Sequence, residues 1–580
     1  MKKIIIFKKG HIVCLLITLF TLFPLTLINA ATLTDEVTDV PVDKTWTVKF
    51  NFPVVESSIT PSSIYVMNSK QEKQNVTVSA KDNIVTVHAP ATGYEPGQAY
   101  TLHITANVLG QIGEEIKALK QPVVKPFSTT EGYIVVNIKK DGTYSPVENY
   151  QTYDEANASL QENQGIMLND KYIKIPSGFV ATNKQAVTVL YKQATFTSQY
   201  EYTGVSIDTE LIYADATANY VKVKAFGQDM YVKHEDVTLI PTVTAKGQSY
   251  YVANEQGLWH YIYHHNQGKY NTAYLVGKKP DFLNEGVKYY STDGINFVDA
   301  NSKVAGESYN YFQYVSLRIP TSYSAVELDA YIDRELAAKE RTAYAKYANA
   351  TTKSPLKGLG ATLKTIEKEH RINALFLLSF AIHESDYGMS CHAQNNNNLF
   401  GLNIPDSNDQ CSTNGNTSSD KYFASIEENI TALVNRLNTN YLDPLNMADY
   451  RYNGVALGNK MVGMNVRYAS DPYWGAKISG HMYRIDKALG NKDYQKYDVG
   501  FTAVSDVSIR KEPVIQNGVN NNRAYQYKLD WTIKRLDKMP VTLSNTPSEA
   551  AGWLRVISEL PEDGRDLYTV TENVLIVPTH

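Results

Sequence analysis

Glu384 closes an apolar run, Asn373-Ala-Leu-Phe-Leu-Leu-Ser-Phe-Ala-Ile-His-Glu384, and is the residue best placed for acid chemistry. The run has no Gly or Pro, and its length suits a buried helix better than a strand. On such a helix Leu377, Phe380 and Glu384 share one face, and Tyr387-Gly388 should end it. A carboxyl group held against apolar side chains is desolvated, which disfavours its charged form and raises its pKa. That is how a glutamate serves as a general acid near neutral pH. Taken alone, the run reads more readily as a core helix with a solvated last residue. Other chemistries find less support. His383-Glu384 begins a zinc-protease pattern, but position 387 is Tyr where a second His is needed. Cys391-His392 could be a nucleophile and base only if adjacent residues faced each other, which they rarely do. His260, His264 and His265 fall within Trp259–His265. On a strand His260 and His264 share a face, yet no Cys or carboxylate joins them at ligand spacing. They read as half-exposed strand histidines, and no metal or cofactor is expected. A phosphate-binding loop pattern is absent from the sequence.

The elements that must hold Glu384 lie in a chain of 580 residues with a net charge of −4, long enough for several domains and too evenly charged for a nucleic-acid footprint. The 42 tyrosines suit strands, and also flat surfaces for sugars. Residues 1–30 read as a secretory signal: Lys2, Lys3, Lys8 and Lys9, then an apolar core from Ile12 to Leu27, then Ala30 before the cut. The mature protein is therefore expected outside the cytoplasm, secreted, extracellular or associated with a cell wall. Cys14 falls inside the apolar core, so lipidation is not expected. Cys391 and Cys411 remain, in one polar loop, and export permits a disulfide between them. Such a bridge would contribute ~3 kcal/mol by restricting the unfolded chain.

Residues 31–130 alternate as a β-sandwich does, in Trp46–Phe52, Asn75–Val78, Asn83–His88 and Tyr100–Thr105. Pro96-Gly97-Gln-Ala-Tyr100-Thr-Leu102 and the closing Phe127-Ser-Thr129 resemble bacterial Ig-like modules. Residues 131–325 are β-rich. Tyr220–Lys224 and Met230–Lys233 resemble half of an SH3-type barrel, and a second unit is expected over 248–299. From about 326 the spacing turns helical: Val326–Lys339, Ala361–His370, the run from Asn373, Ser425–Leu437 with a capping-box spacing at Ser425 and Glu428, and Ala476–Leu489. Strands return over 500–580. There Asp506-Val-Ser-Ile-Arg-Lys-Glu-Pro513 resembles the opening of bacterial SH3 domains, which implies a C-terminal SH3-like barrel that binds wall peptides.

Three motifs stand in order around Glu384: Glu384-Ser-Asp-Tyr-Gly-Met-Ser390, Asn397-Asn-Leu-Phe-Gly-Leu402, and Asn465-Val-Arg-Tyr-Ala-Ser-Asp-Pro-Tyr-Trp-Gly475. Together they resemble the β-N-acetylglucosaminidases of glycoside hydrolase family 73, bacterial peptidoglycan hydrolases. The resemblance covers about residues 326–495. It implies a lysozyme-like, mainly α-helical catalytic domain with a groove for peptidoglycan glycan strands. It implies Glu384 as general acid on the bond between N-acetylglucosamine and N-acetylmuramic acid, with Tyr468 lining the cleft and supporting catalysis. Asn397 and Asn398 would shape the loop or touch substrate. Phe400 and Trp474 would either face the sugars or pack internally.

Many family members carry a second Glu after the Phe-Gly motif, but there is none between Leu402 and Tyr422 here. Asp406, Asp409, Asp420 and Asp471 are the available carboxylates. The substrate's acetamido group could replace them all, so the stereochemical outcome stays open. Asp471 precedes Pro472, which also suits a turn or cap. The expected protein is thus a secreted endo-β-N-acetylglucosaminidase whose β modules hold wall peptides or polymers. A wall-binding or adhesive protein without hydrolysis and an endoglycosidase acting on glycoprotein N-glycans are the competing readings.

Overall fold

The computed structural model describes residues 37–130, 132–342, 344–404, 422–446, 449–516, 522–528 and 538–580. The expected signal, three of the four candidate aspartates (Asp406, Asp409, Asp420) and Cys411 lie outside them. Contacts divide the chain into two units: residues up to 180 with 213–222 and 233–245, and residues 181–212, 223–232 and 246–580.

The first unit begins with two sheets. One orders Val37–Val40, Val123–Thr129, Ala99–Ile104 and Ile64–Asn68; the other orders Trp46–Lys49, Ile84–His88 and Thr77–Lys81. Their strands alternate buried and open positions, as in Ala99–Ile104. The inward residues of both sheets, among them Trp46, Val85, Tyr100 and Phe127, form one core, which makes the pair a sandwich. Next comes a four-stranded sheet over 133–174, covered by α1 (Tyr153–Ser159). Thr152 and Glu155 cap that helix reciprocally.

Among the described residues the second unit contains every other α-helix: α2 (Tyr311–Tyr314), α3 (Ala325–Glu340), α4 (Ala350–Lys353), α5 (Gly360–His370), α6 (Ala374–Ser385), α7 (Cys391–Asn396), α8 (Ile426–Asn440) and α9 (Trp474–Leu489). The helix starts have local chemical causes. Ser324, Asn373 and Ser425 each accept a hydrogen bond from a backbone N–H in the first turn. No helix among the described residues is long and apolar enough to cross a membrane.

β-structure is packed into this helical body. The sheet of Lys269–Gly277, Gly257–His264, Tyr250–Asn254 and Lys288–Tyr289 sets its first strand against α9. The approach is close enough that a Cβ at Gly480 would stand 1.8 Å from the Leu275 carbonyl oxygen. Asn310 ties the contact by donating to the Val276 carbonyl (2.6 Å) and Ser479 Oγ (2.8 Å). An upstream strand reaches the third motif and the residues just before it: Thr203 donates to the Val466 carbonyl (2.7 Å) and Tyr202 to the Met461 carbonyl (2.6 Å).

The C-terminal expectation needs correction. Residues 498–576 form a seven-stranded antiparallel sheet with Arg523–Lys528 at one edge and Val574–Ile576 at the other. The two edges do not pair among the described residues, so no closed SH3-type barrel is present there. Strand alternation reveals strands, but not whether a sheet closes. Nor is this sheet a loosely joined appendage. Buried Arg318 donates to the carbonyls of Glu559, His370, Arg371 and Leu442 and to Asn438 Oδ1. Arg371 donates to the carbonyls of Ser558, Leu560 and Asp563.

Candidate active site

Helix α6 is buried from Ala374 through Ile382, which is why its sequence shows almost no polar face. Asn373 Oδ1 caps it by accepting from Phe376 N at 2.8 Å. Its end is abrupt: Asp386, Tyr387 and Gly388 take φ of +49°, +62° and +74°. A non-glycine residue pays steric strain in this region, and neighbouring groups hold the turn. Asp386 accepts from Tyr347 Oη (2.8 Å) and Lys346 Nζ (2.6 Å), and Ser354 Oγ donates to the Tyr387 carbonyl (2.7 Å). A Cβ at Gly388 would lie 2.5 Å from Ser354 Oγ, so this position requires glycine.

Glu384 therefore leaves the helix just before a rigid turn. Its side chain reaches solvent, yet protein crowds its carboxyl group enough to push the pKa up to about 7. The side chain is thus accessible while its carboxyl group is poorly hydrated. Desolvation is the main cause of the shift; the charge of Asp471 adds to it, while a hydrogen bond from Trp474 and the charge of Lys477 oppose it. The hydrogen bond runs from Trp474 Nε1 to Glu384 Oε1 at 2.8 Å. A single strong donor fixes one carboxyl oxygen and leaves the other for a proton.

Aromatic rings form the floor. Phe380 meets Phe400, Tyr468 and Trp474 at ring-centre distances of 5.1, 5.6 and 5.2 Å, all edge-on. Tyr468 stacks on Trp474 at 4.7 Å and meets Tyr441 at 5.3 Å. Burial and the nearby Glu384 charge push the Tyr468 phenol upward, so its hydroxyl stays protonated. Phe400 and Trp474, candidates for facing sugar, are 4% and 3% exposed and turn their rings to protein. Asn398 is buried and spends its amide on the loop: Oδ1 accepts from Leu402 N (3.0 Å) and Nδ2 donates to the Leu402 carbonyl (2.9 Å). Asn397, in a left-handed conformation, donates to the Phe423 carbonyl at 2.9 Å.

Asp471 is the one candidate second carboxylate among the described residues. Oδ1 accepts from Tyr473 N (2.9 Å) at the start of α9, and Oδ2 pairs with Lys477 Nζ (2.5 Å). It thus caps a turn and neutralises a lysine. Two residues near it escaped sequence reasoning. Lys477 follows Asp471 by six positions, a spacing legible only once the helix start is known. Lys460, buried and bonded to the Ala469 carbonyl, has its pKa pushed down to about 7 by burial, and nothing in its sequence surroundings marks it. Cys391 opens α7, with Asn395 Nδ2 3.2 Å from its sulfur.

The histidines are accounted for separately. His260 is buried, against the half-exposed expectation, because it stacks flat on Tyr251 at 4.1 Å. His264 and His265 pair with Asp208 and Glu210. Among the described residues no group of three or more His, Cys, Asp or Glu side chains has the geometry to hold a metal.

A desolvated glutamate thus ends a buried helix, above an aromatic floor built from two distant segments. Residues 360–487 match the family described as Mannosyl-glycoprotein endo-beta-N-acetylglucosaminidase, and residues 24–129 match the bacterial Ig-like domain. The chain therefore carries a glucosaminidase domain and an Ig-like domain. Among curated proteins it is similar to two from strains of Streptococcus pneumoniae, each named "Putative endo-beta-N-acetylglucosaminidase", at 32% identity over 267 residues. The matched stretch is 46% of this chain and 34% and 32% of those proteins, so the chain spans about a third of their length. Among solved structures, autolysin E of S. aureus aligns at 20% identity over 31% of this chain and 72% of its own, with a TM-score of 0.23. A catalytic mutant of that autolysin, in complex with the disaccharide NAG-NAM, aligns at 19% identity over 33% and 82%, also with a TM-score of 0.23.

Proposed function

We propose that the protein is a secreted endo-β-N-acetylglucosaminidase that hydrolyses the GlcNAc-β-1,4-MurNAc bond of peptidoglycan, with Glu384 as general acid. The supporting observation is the Glu384 carboxyl itself: open to solvent, crowded by protein, with one oxygen fixed by Trp474. Protonated near neutral pH, it would deliver its proton to the glycosidic oxygen as the bond to the leaving sugar breaks. Proton delivery of this kind is worth ~10²–10⁴ in rate. Tyr468, held as a phenol beside it, would donate a hydrogen bond at the reacting centre. Both oxygens of Asp471 are engaged. The second group is drawn from Asp406, Asp409, Asp420 and Asp471, or is the substrate's own acetamido oxygen.

Export would follow from the N-terminal signal, and the β modules would hold the enzyme to wall peptides or polymers. A Cys391–Cys411 bridge would close the loop that follows α7; mass spectrometry finding two free thiols in the exported protein would exclude it. The activity is tested by digesting purified peptidoglycan and identifying the new reducing ends. N-acetylglucosamine ends are expected. N-acetylmuramic acid ends would make the protein a muramidase, and binding without new ends would make it a wall-binding protein. Release of glycans from a mannosyl glycoprotein with peptidoglycan left intact would favour the N-glycan reading, which the matched family's description keeps in view.

A further inference from the structure

Lys477 has an unusual seat for a lysine on the first turns of a helix. Its ammonium pairs with Asp471 at 2.5 Å and lies over the ring of Tyr274, 5.6 Å from the centroid. Tyr274 belongs to strand Lys269–Gly277, outside the 360–487 stretch that matches the hydrolase family. The strand's position is fixed closely. Gly480 brings α9 against the Leu275 carbonyl, and Asn310 bridges Val276 and Ser479. The Tyr274 hydroxyl lies 3.0 Å from His260 Nδ1, and the His260 ring sits edge-on to Tyr473 at 4.7 Å. Two residues of one helix thus converge on the acid: Trp474 touches it, and Lys477 balances the anion beside it.

We propose that Lys477, held between Asp471 and the face of Tyr274, is a positioning residue for the acid, and that the strand carrying Tyr274 is a working part of the hydrolytic site. The proposal rests on Glu384 being that acid. Asp471 and Lys477 act on Glu384 with opposite signs, Asp471 favouring the protonated form and Lys477 the ionised form. Paired, they largely cancel; separated, either one would move the proton affinity of Glu384. Three of the other titratable groups facing this cluster have fixed states near neutrality. The Tyr468 phenol is pushed upward, and His383 is pushed down to about 4 and His260 to about 3; Lys460, pushed down to about 7 by burial, is held up in part by Asp471 and shares in any change at that residue. A cation over a tyrosine face is held by the ring's quadrupole, so Tyr274 restrains Lys477 without contributing a charge.

The test is the alkaline limb of the pH profile of kcat/KM on purified peptidoglycan, for the full chain. Lys477→Met leaves Asp471 unbalanced and should move the limb upward by roughly 1 pH unit; Asp471→Asn should move it downward by a similar amount. Lys477→Arg, which keeps the charge, should restore the wild-type limb, and the double variant D471N/K477M should return near it. Tyr274→Leu should lower kcat with KM little changed. If Lys477→Met fails to fold, the Asp471→Asn shift still decides. Limbs that stay at the wild-type position in both single variants, while Glu384→Gln is inactive, would overturn this proposal and leave the acid assignment standing. Wild-type activity in Glu384→Gln would remove the acid assignment itself.

Discussion

Among the described residues two glutamates have carboxyl groups pushed up to about 7, Glu384 and Glu559, both chiefly by desolvation. Their surroundings differ in every other respect. Glu384 opens to solvent and takes one hydrogen bond from an indole. Glu559 is 1% exposed, accepts from Tyr452 Oη at 2.9 Å, and lies near Arg318, whose guanidinium is occupied by backbone carbonyls and Asn438. One carboxyl can meet a substrate; the other joins the C-terminal sheet to the helical body. A perturbed carboxyl therefore marks a functional site only where the group can also be reached.

The sharpest way to break this contrast is to replace each glutamate by Gln. Glu384→Gln should cost ~10²–10⁴ in peptidoglycan hydrolysis with no loss of thermal stability, whereas Glu559→Gln should hydrolyse at close to the wild-type rate. Comparable activity losses in both would mean that the joint also serves the chemistry. Next in size is Arg318→Met. Leaving buried acceptors and Glu559 without their cation should cost about 3–5 kcal/mol of stability, read as a lowered denaturant midpoint. An unchanged midpoint would show that the joint adds nothing.

The smallest effect is a pH dependence of stability. Both carboxyls bind protons more tightly in the folded protein, at about 7, than at their usual value of 4.5. The folded state then holds the extra protons, so the stability these two groups contribute is fully present below 4.5 and is lost as pH rises from 4.5 to 7. Each Gln variant removes one such group. Its stability relative to wild type should therefore be greater at pH 8 than at pH 4, as differential melting would show.

Much of the helical body was legible because local chemistry dictates it. The cap at Ser425 and the apolar run of α6 need only near neighbours in sequence. The Ig-like sandwich was legible for the same reason, since Trp46, Tyr100 and Phe127 sit at alternating strand positions. Contacts between distant segments were not legible. Trp474 was noted for its ring, while its N–H, ninety positions beyond Glu384, proves to be what fixes the carboxyl. Arg318 looks like any loop arginine until five acceptors are found around it. The C-terminal strands were read individually, but closure of a sheet depends on pairings that alternation does not encode.

The central claim is that protein crowding makes Glu384 an acid at neutral pH. Its most direct test is a difference infrared titration of the carboxyl C=O band, wild type minus Glu384→Gln, in which Glu559 cancels. A midpoint near 7 is predicted; a midpoint near the ordinary 4.5 would contradict it.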